Sequence, residues 1–154
     1  MSVTMIALSD SHAATLQRLP SELRTALATA DIIIHAGDHT EAFLLEELRA
    51  IGQVVAVAGN MDSLSLKMSL PIRQLFTVNG KSVGVTHGSG APFGIARRVR
   101  ALFPEDPDVI VFGHSHIACN ELVDGVLMVN PGSAAHGYAR ITVGEAVSAQ
   151  LVST

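Results

Sequence analysis

Val3-Thr4-Met5-Ile6-Ala7-Leu8 gives way at once to Ser9-Asp10-Ser11-His12, and this change from an apolar run to a polar cluster recurs four times. Ile32 to Ile34 precedes His35-Ala36-Gly37-Asp38, and Val54 to Ala58 precedes Gly59-Asn60-Met61-Asp62. Ser82 to Thr86 precedes His87-Gly88, and Val109 to Phe112 precedes Gly113-His114-Ser115-His116. Short runs rich in Val and Ile, apolar at consecutive positions, are the pattern of strands covered on both faces. Helical periodicities lie between several of them. Ser21 is expected to cap a helix with Leu23, Leu27 and Ala30 on one face, and Thr40 another with Leu44, Leu48 and Ile51. A third helix is expected from Phe93 to Phe103. Strands alternating with helices imply βαβ units, whose ligands gather beyond the carboxyl ends of the strands. That rule carries five polar clusters, 22 to 28 residues apart, to one edge of the fold.

Asn79-Gly80 between Leu75 to Val78 and Ser82-Val83, and Asp124-Gly125 between Leu122-Val123 and Val126 to Val129, are hairpin signals. Gly144-Glu145, between Ala139 to Val143 and Ala146 to Val152, suggests a third. A strand-rich second half beside a βαβ first half predicts an α/β fold in which two mixed sheets pack together with helices outside.

The 154 residues suit one domain, residues 1–154, with no repeat and no linker. At 48% apolar and 16% charged, the chain can offset the entropy of folding by burial. A formal charge of −4 gives no general attraction to nucleic acid or an anionic membrane, so anion affinity must be local. The single cysteine, Cys119, excludes a disulfide framework and a cysteine metal cluster, and is expected as a small buried residue. With no run near the roughly 20 apolar residues a bilayer span needs, and no basic amino-terminal region, the cytoplasm is the expected address.

The polar clusters supply carboxylate, imidazole and amide donors, the set that binuclear metal hydrolases use. Asp10 and His12 stand two apart, as do His114 and His116, so extended segments would turn each pair to one side. Asp38 follows Gly37 alone on its turn, where a carboxylate can bridge two ions, and Gly59 permits a tight turn presenting Asn60. Each piece is common by itself; five at successive strand ends are not.

Asp10-x-His12, Gly37-Asp38, Gly59-Asn60-x-Asp62, His87 and Gly113-His114-x-His116, in this order, resemble the calcineurin-like metallophosphoesterase superfamily. Asn130-Pro131-Gly132-Ser133 resembles its small YfcE-type phosphodiesterase branch. The resemblance implies a four-layer sandwich of two mixed β-sheets flanked by helices. It implies two divalent metal ions, one held by Asp10, His12, Asp38 and His116, the other by Asp38, Asn60, His87 and His114. Asn60 and His87 would also meet substrate. The implied activity is a phosphodiesterase in which a hydroxide bridging the ions attacks phosphorus, with manganese as the expected metal and zinc, iron or nickel also suited. Two divalent ions against two carboxylates leave a formal surplus of about two positive charges, which suits a monoanionic small phosphodiester. The resemblance leaves a homo-oligomer open. It also leaves two alternatives, a non-catalytic protein-binding scaffold of the same fold, as in the retromer coat, and a nuclease, which the net charge disfavours.

Rival hydrolase patterns fail on details: a metallo-β-lactamase-like site would want aspartate where Ala118 stands, and an amidohydrolase His-x-His where Asp10-x-His12 stands. No catalytic residue beyond the metal ligands is assigned, because Met61 follows Asn60 where many superfamily phosphatases carry a histidine acid. His35, His39 and His136 lie near the turns without filling a ligand position, with His39 and His136 open as substrate contacts. Arg97, Arg98 and Arg100 read as a solvated basic face. Gly88-Ser89-Gly90 stops short of a dinucleotide fingerprint, because Phe93 occupies the third glycine position.

Overall fold

In the first strand, β1 (Val3–Leu8), alternation sends Met5 and Ala7 to one side and Ile6 and Leu8 to the other, and all four are buried. The computed structural model describes residues 1–154. After β1 the chain forms α1 (Ser21–Thr29), β2 (Ile32–His35), α2 (Ala42–Ile51), β3 (Val54–Ala56), α3 (Leu64–Ser69), β4 (Arg73–Val78) and β5 (Lys81–Thr86). It continues with α4 (Ile95–Ala101), β6 (Val109–Val111), β7 (Cys119–Val123), β8 (Val126–Asn130), β9 (Gly137–Val143) and β10 (Val147–Ser153).

Two five-stranded mixed sheets result, in the orders β10-β9-β1-β2-β3 and β4-β5-β6-β8-β7. Within each, three neighbouring strands are parallel: β1, β2 and β3 in one, β5, β6 and β8 in the other. The register sets Met5 opposite Ile32 and Leu8 opposite His35, and Val83 opposite Val109. Met5, Ala7, Ile32 and Ile34 meet Val83, Val85, Val109 and Val111 in the core between the sheets. Outside the first sheet, Ile6, Leu8 and Ile33 pack on Leu23 and Leu27 of α1 and on Leu44 and Leu48 of α2. Outside the second, Ile110, Phe112 and Met128 pack on Ile95 and Val99 of α4 and on Phe103. The expected four layers are therefore present, and strands apolar on both faces are those with a layer on either side.

The hairpin turns fall where expected, Asn79-Gly80 and Asp124-Gly125 each with both residues at positive φ, as a type I′ turn requires. Several local expectations are corrected. Pro20, not Ser21, occupies the cap position of α1, and Ser21 opens the helix, since proline's fixed φ suits a helix entry. Thr40 does not cap α2; Glu41 occupies the cap position without a side-chain capping bond, and Thr40 sits at φ 74° with its N–H on the Asp62 carboxylate. The third expected helix is only Ile95–Ala101, its start set by Gly94 at φ 76°. The six-residue α3, capped by the Ser63 hydroxyl on the Leu66 N–H, is too short for periodicity to reveal. Cys119 is half-buried rather than buried, because it opens the edge strand β7. No helix is long and apolar enough to cross a membrane.

Candidate metal centre

The parallel strands β1, β2, β3, β5 and β6 deliver Asp10, Asp38, Asn60, His87 and His114 just past their carboxyl ends, and the side chains converge. Asp10, His12, Asp38 and His116 each place one donor atom within 4.8 Å of all the others. His116 Nε2 lies 3.4 Å from Asp10 Oδ1, and His12 Nε2 lies 3.7 Å from Asp38 Oδ2. Around the same Asp38 Oδ2, His87 Nε2 stands 3.4 Å away and reaches Asn60 Oδ1 at 3.0 Å. His114 Nδ1 lies 3.3 Å from that amide oxygen. All seven expected ligands therefore gather in two adjoining groups that meet at Asp38.

The paired ligands do not converge through extended backbone as their spacing suggested. Asp10, His12, Asp38, His114 and His116 all have left-handed backbone, with φ between 45° and 71°. Asp and His are among the residues that tolerate this region best, yet each such position costs about 1–3 kcal/mol. The cost is offset by neighbours that leave no alternative. Asp10 N–H donates to the Gly37 carbonyl and His12 N–H to the Asp38 carbonyl, so the β1 and β2 loops are interlocked. A Cβ on Gly59 would stand 2.2 Å from Asp38 Oδ1, and one on Gly37 2.7 Å from His87 Nδ1, so glycine is required where the loops cross.

Hydrogen bonds select the ring tautomers. His87 Nδ1 lies 2.7 Å from the Ala36 carbonyl, which can only accept, so the neutral ring carries its lone pair at Nε2, facing Asn60 and Asp38. His114 Nε2 donates to the Gly90 carbonyl at 3.0 Å, which frees Nδ1. Burial opposes a charge on His87, but the Asp38 hydrogen bond and the Ala36 carbonyl leave its pKa raised. Burial would likewise raise Asp38, but His87 and the Met61 N–H, 2.8 Å from Oδ1, bring it down to about 2. Asp10 is raised, chiefly by burial.

A cation fits this arrangement on one specific observation. Asp10 Oδ1 is buried without any hydrogen bond, while its other oxygen accepts from the His114 N–H at 3.1 Å. A carboxylate oxygen so placed, with histidine nitrogens at 3.4 and 3.8 Å, lacks the positive partner that buried charge requires.

Among the residues near the turns, His35 and His39 are fully buried and stack at 3.6 Å between ring centroids. Burial, then His39, holds His35 well below the ordinary histidine pKa, so it is neutral. It accepts the Gly37 N–H and pairs with Ser11 Oγ, bracing both loops. His39 therefore has no route to a substrate. His136 is exposed and shares a cleft of about 180 Å³ with His116 and Ser133. Asn130, buried, donates to the Gly113 carbonyl and to Ser115 Oγ, holding the segment that presents His114 and His116.

The sequence reading missed Arg98. Its guanidinium donates to the carbonyls of Phe93 at 2.8 Å and Ser89 at 2.9 Å and also to that of Ala91, clamping the 88–94 loop. That loop follows His87 and supplies the Gly90 carbonyl to His114. Arg100 is occupied by Asp106 and the Phe103 carbonyl, so only Arg97 fits the expected solvated face. A basic run on a short helix carries no signal that separates these roles.

A family model described as the calcineurin-like phosphoesterase superfamily domain matches residues 3–147. A probable metallophosphoesterase of Methanocaldococcus jannaschii is 36% identical over 117 residues, covering 75% of this chain and 59% of the relative, so the chain spans about three fifths of that protein. A phosphodiesterase of the same organism is 25% identical over 148 residues, covering 85% of this chain and 83% of that one. Among solved structures, a Thermotoga maritima protein studied by NMR superposes with TM-score 0.78 at 33% identity, covering 99% of both chains. Vacuolar protein sorting 29 of Cryptosporidium parvum superposes at 0.74 with 18% identity over 99% of this chain and 98% of its own, a likeness of fold alone.

Proposed function

The chain belongs to the calcineurin-like phosphoesterase superfamily, and on that premise we propose that it hydrolyses phosphodiesters with two divalent cations, of which manganese is the expected one. Asp10, His12, Asp38 and His116 would hold one cation and Asp38, Asn60, His87 and His114 the other. The buried, unpartnered Asp10 Oδ1 within a complete set of seven donors is the observation that carries the reading. When bound, such a pair of ions generates a nucleophile from water at neutral pH and stabilises charge on the phosphoryl oxygens.

The protein's own part is to orient and to exclude. The Ala36 and Gly90 carbonyls turn the ring nitrogens of His87 and His114 toward the centre, as outer-sphere partners do at metal sites. Met61 is exposed, and its thioether cannot donate a proton. Asp62 is no substitute, since its two oxygens accept the N–H groups of Thr40 and Gly59 and it is buried. His39 is buried as well. Without an acid of the usual kind, the reading favours esters whose leaving group departs unaided.

Cavities beside the ligands support a diester over a monoester. One of about 360 Å³ is lined by Asn60 and His87, and the smaller one includes His116, so each group of ligands has room beside it. The test is hydrolysis of bis(4-nitrophenyl) phosphate by protein stripped with chelator and then reloaded. Activity absent after stripping and restored by manganese is expected; full activity in stripped protein would refute the reading. Failure to bind any metal at saturation would favour the scaffold.

A further inference from the structure

The larger cavity has a composition that the phosphoester chemistry itself does not require. Its walls combine the ligands Asn60 and His87 with Thr86, Ile72, Leu102 and Lys67. The Thr86 hydroxyl is spent on the Ile72 carbonyl, at 3.0 Å, so it ties the wall together rather than facing a ligand. Ile72 is 78% exposed and Leu102 52% exposed, which leaves large apolar side chains at the rim with nothing from this chain over them. Lys67, on α3, is the one Lys or Arg side chain in the lining, and none of the chain's carboxylates lies within ion-pair distance of it. The volume, about 360 Å³, falls within the range of small-molecule sites, roughly 300–1,000 Å³.

We propose that this cavity is the subsite for one arm of the diester, and that it selects an arm with an apolar or aromatic body carrying a second anionic group, a phosphate or a carboxylate, which Lys67 binds. The inference rests on the phosphodiesterase reading and adds the substrate class to it. The scissile phosphate sits at the Asn60 and His87 end, the body of the arm lies against Ile72 and Leu102, and the distal anion meets the lysine. An ammonium on a flexible stem suits either anion as a point charge, whereas the fork of an arginine would favour a bidentate partner.

The test uses two diesters that differ only in the distal charge, thymidine 5′-(4-nitrophenyl phosphate) and its 3′-phosphorylated analogue, with the manganese-loaded full chain. The phosphorylated compound should be preferred by about tenfold in kcat/KM, mainly through KM, as expected for one hydrogen bond to a charged group. In Lys67→Met that ratio should fall to about one, while Lys67→Arg should keep most of it. A diester bearing a carboxylate in place of the 3′-phosphate then separates the two anions. Equal hydrolysis of both thymidine compounds by the wild type, or a preference that survives in Lys67→Met, would overturn the subsite and leave the phosphodiesterase reading intact. No hydrolysis of either would overturn both.

Discussion

The two groups of ligands that meet at Asp38 are built in opposite ways. Asp10, His12, Asp38 and His116 all have left-handed backbone, the rings of His12 and His116 make no hydrogen bond, and one oxygen of Asp10 is buried without a partner. Of the three that face only the second position, Asn60 and His87 have ordinary backbone, and the rings of His87 and His114 are each oriented by a hydrogen bond to a backbone carbonyl, of Ala36 and of Gly90, with their other nitrogens 3.0 and 3.3 Å from Asn60 Oδ1. One half stores strain and unmet charge that cations would relieve; the other is organised before any cation arrives. Strain that persists at a functional site must be imposed by its surroundings, and here the crossing of the β1 and β2 loops imposes it.

Removing the residue that joins the halves should have the largest effect. Asp38→Ala is expected to lower kcat at least about a thousandfold and to cost both ions, beyond the 10- to 100-fold typical of losing an outer-sphere partner. Steady-state kinetics and metal analysis check this. Normal activity and stoichiometry in the variant would show that Asp38 does not bridge.

Both halves hold metal in this account, but neither supplies an acid. General acid catalysis is typically worth about 10²–10⁴ in rate, so rates across aryl and alkyl phosphodiesters should fall steeply as the leaving-group pKa rises. A flat dependence, with bond cleavage rate-limiting, would reveal an acid. His136 beside His116 would then be the residue to replace.

The halves can also be separated through their supports. Arg98→Met should loosen the 88–94 loop and weaken the second ion about 10- to 100-fold while sparing the first. Calorimetric titration resolves the two, and equal weakening of both would contradict the contrast. Proton competition should follow the same division. His87 is raised above the ordinary histidine pKa of about 6.5 by Asp38 despite burial, and a cation must displace the proton on Nε2. Affinity at the second position should therefore begin to fall with decreasing pH from above that value. pH-independent binding at that position between pH 8 and 6 would show that no proton is displaced.

The convergence of the ligands was legible because each parallel strand is apolar on both faces and ends abruptly, and strand ends in such sheets share an edge. The glycines at 37 and 59 were legible as tight turns, though not the crossing that demands them. The left-handed backbone at Asp10, His12, Asp38, His114 and His116 left no compositional trace, so Asp10-x-His12 and His114-x-His116 suggested extended segments. Arg98 was unreadable for a different reason: its partners are backbone carbonyls, which no side-chain pattern announces. Ser63 and α3, which bring Lys67 to the cavity, were lost to shortness, since six residues hold too few turns for a period.

Whether Asp38 joins two cation positions is read from the number of manganese ions that the metal-free chain takes up in a calorimetric titration. Two per chain with distinct affinities are expected, both lost in Asp38→Ala. One ion, or two that survive the loss of Asp38, would contradict it.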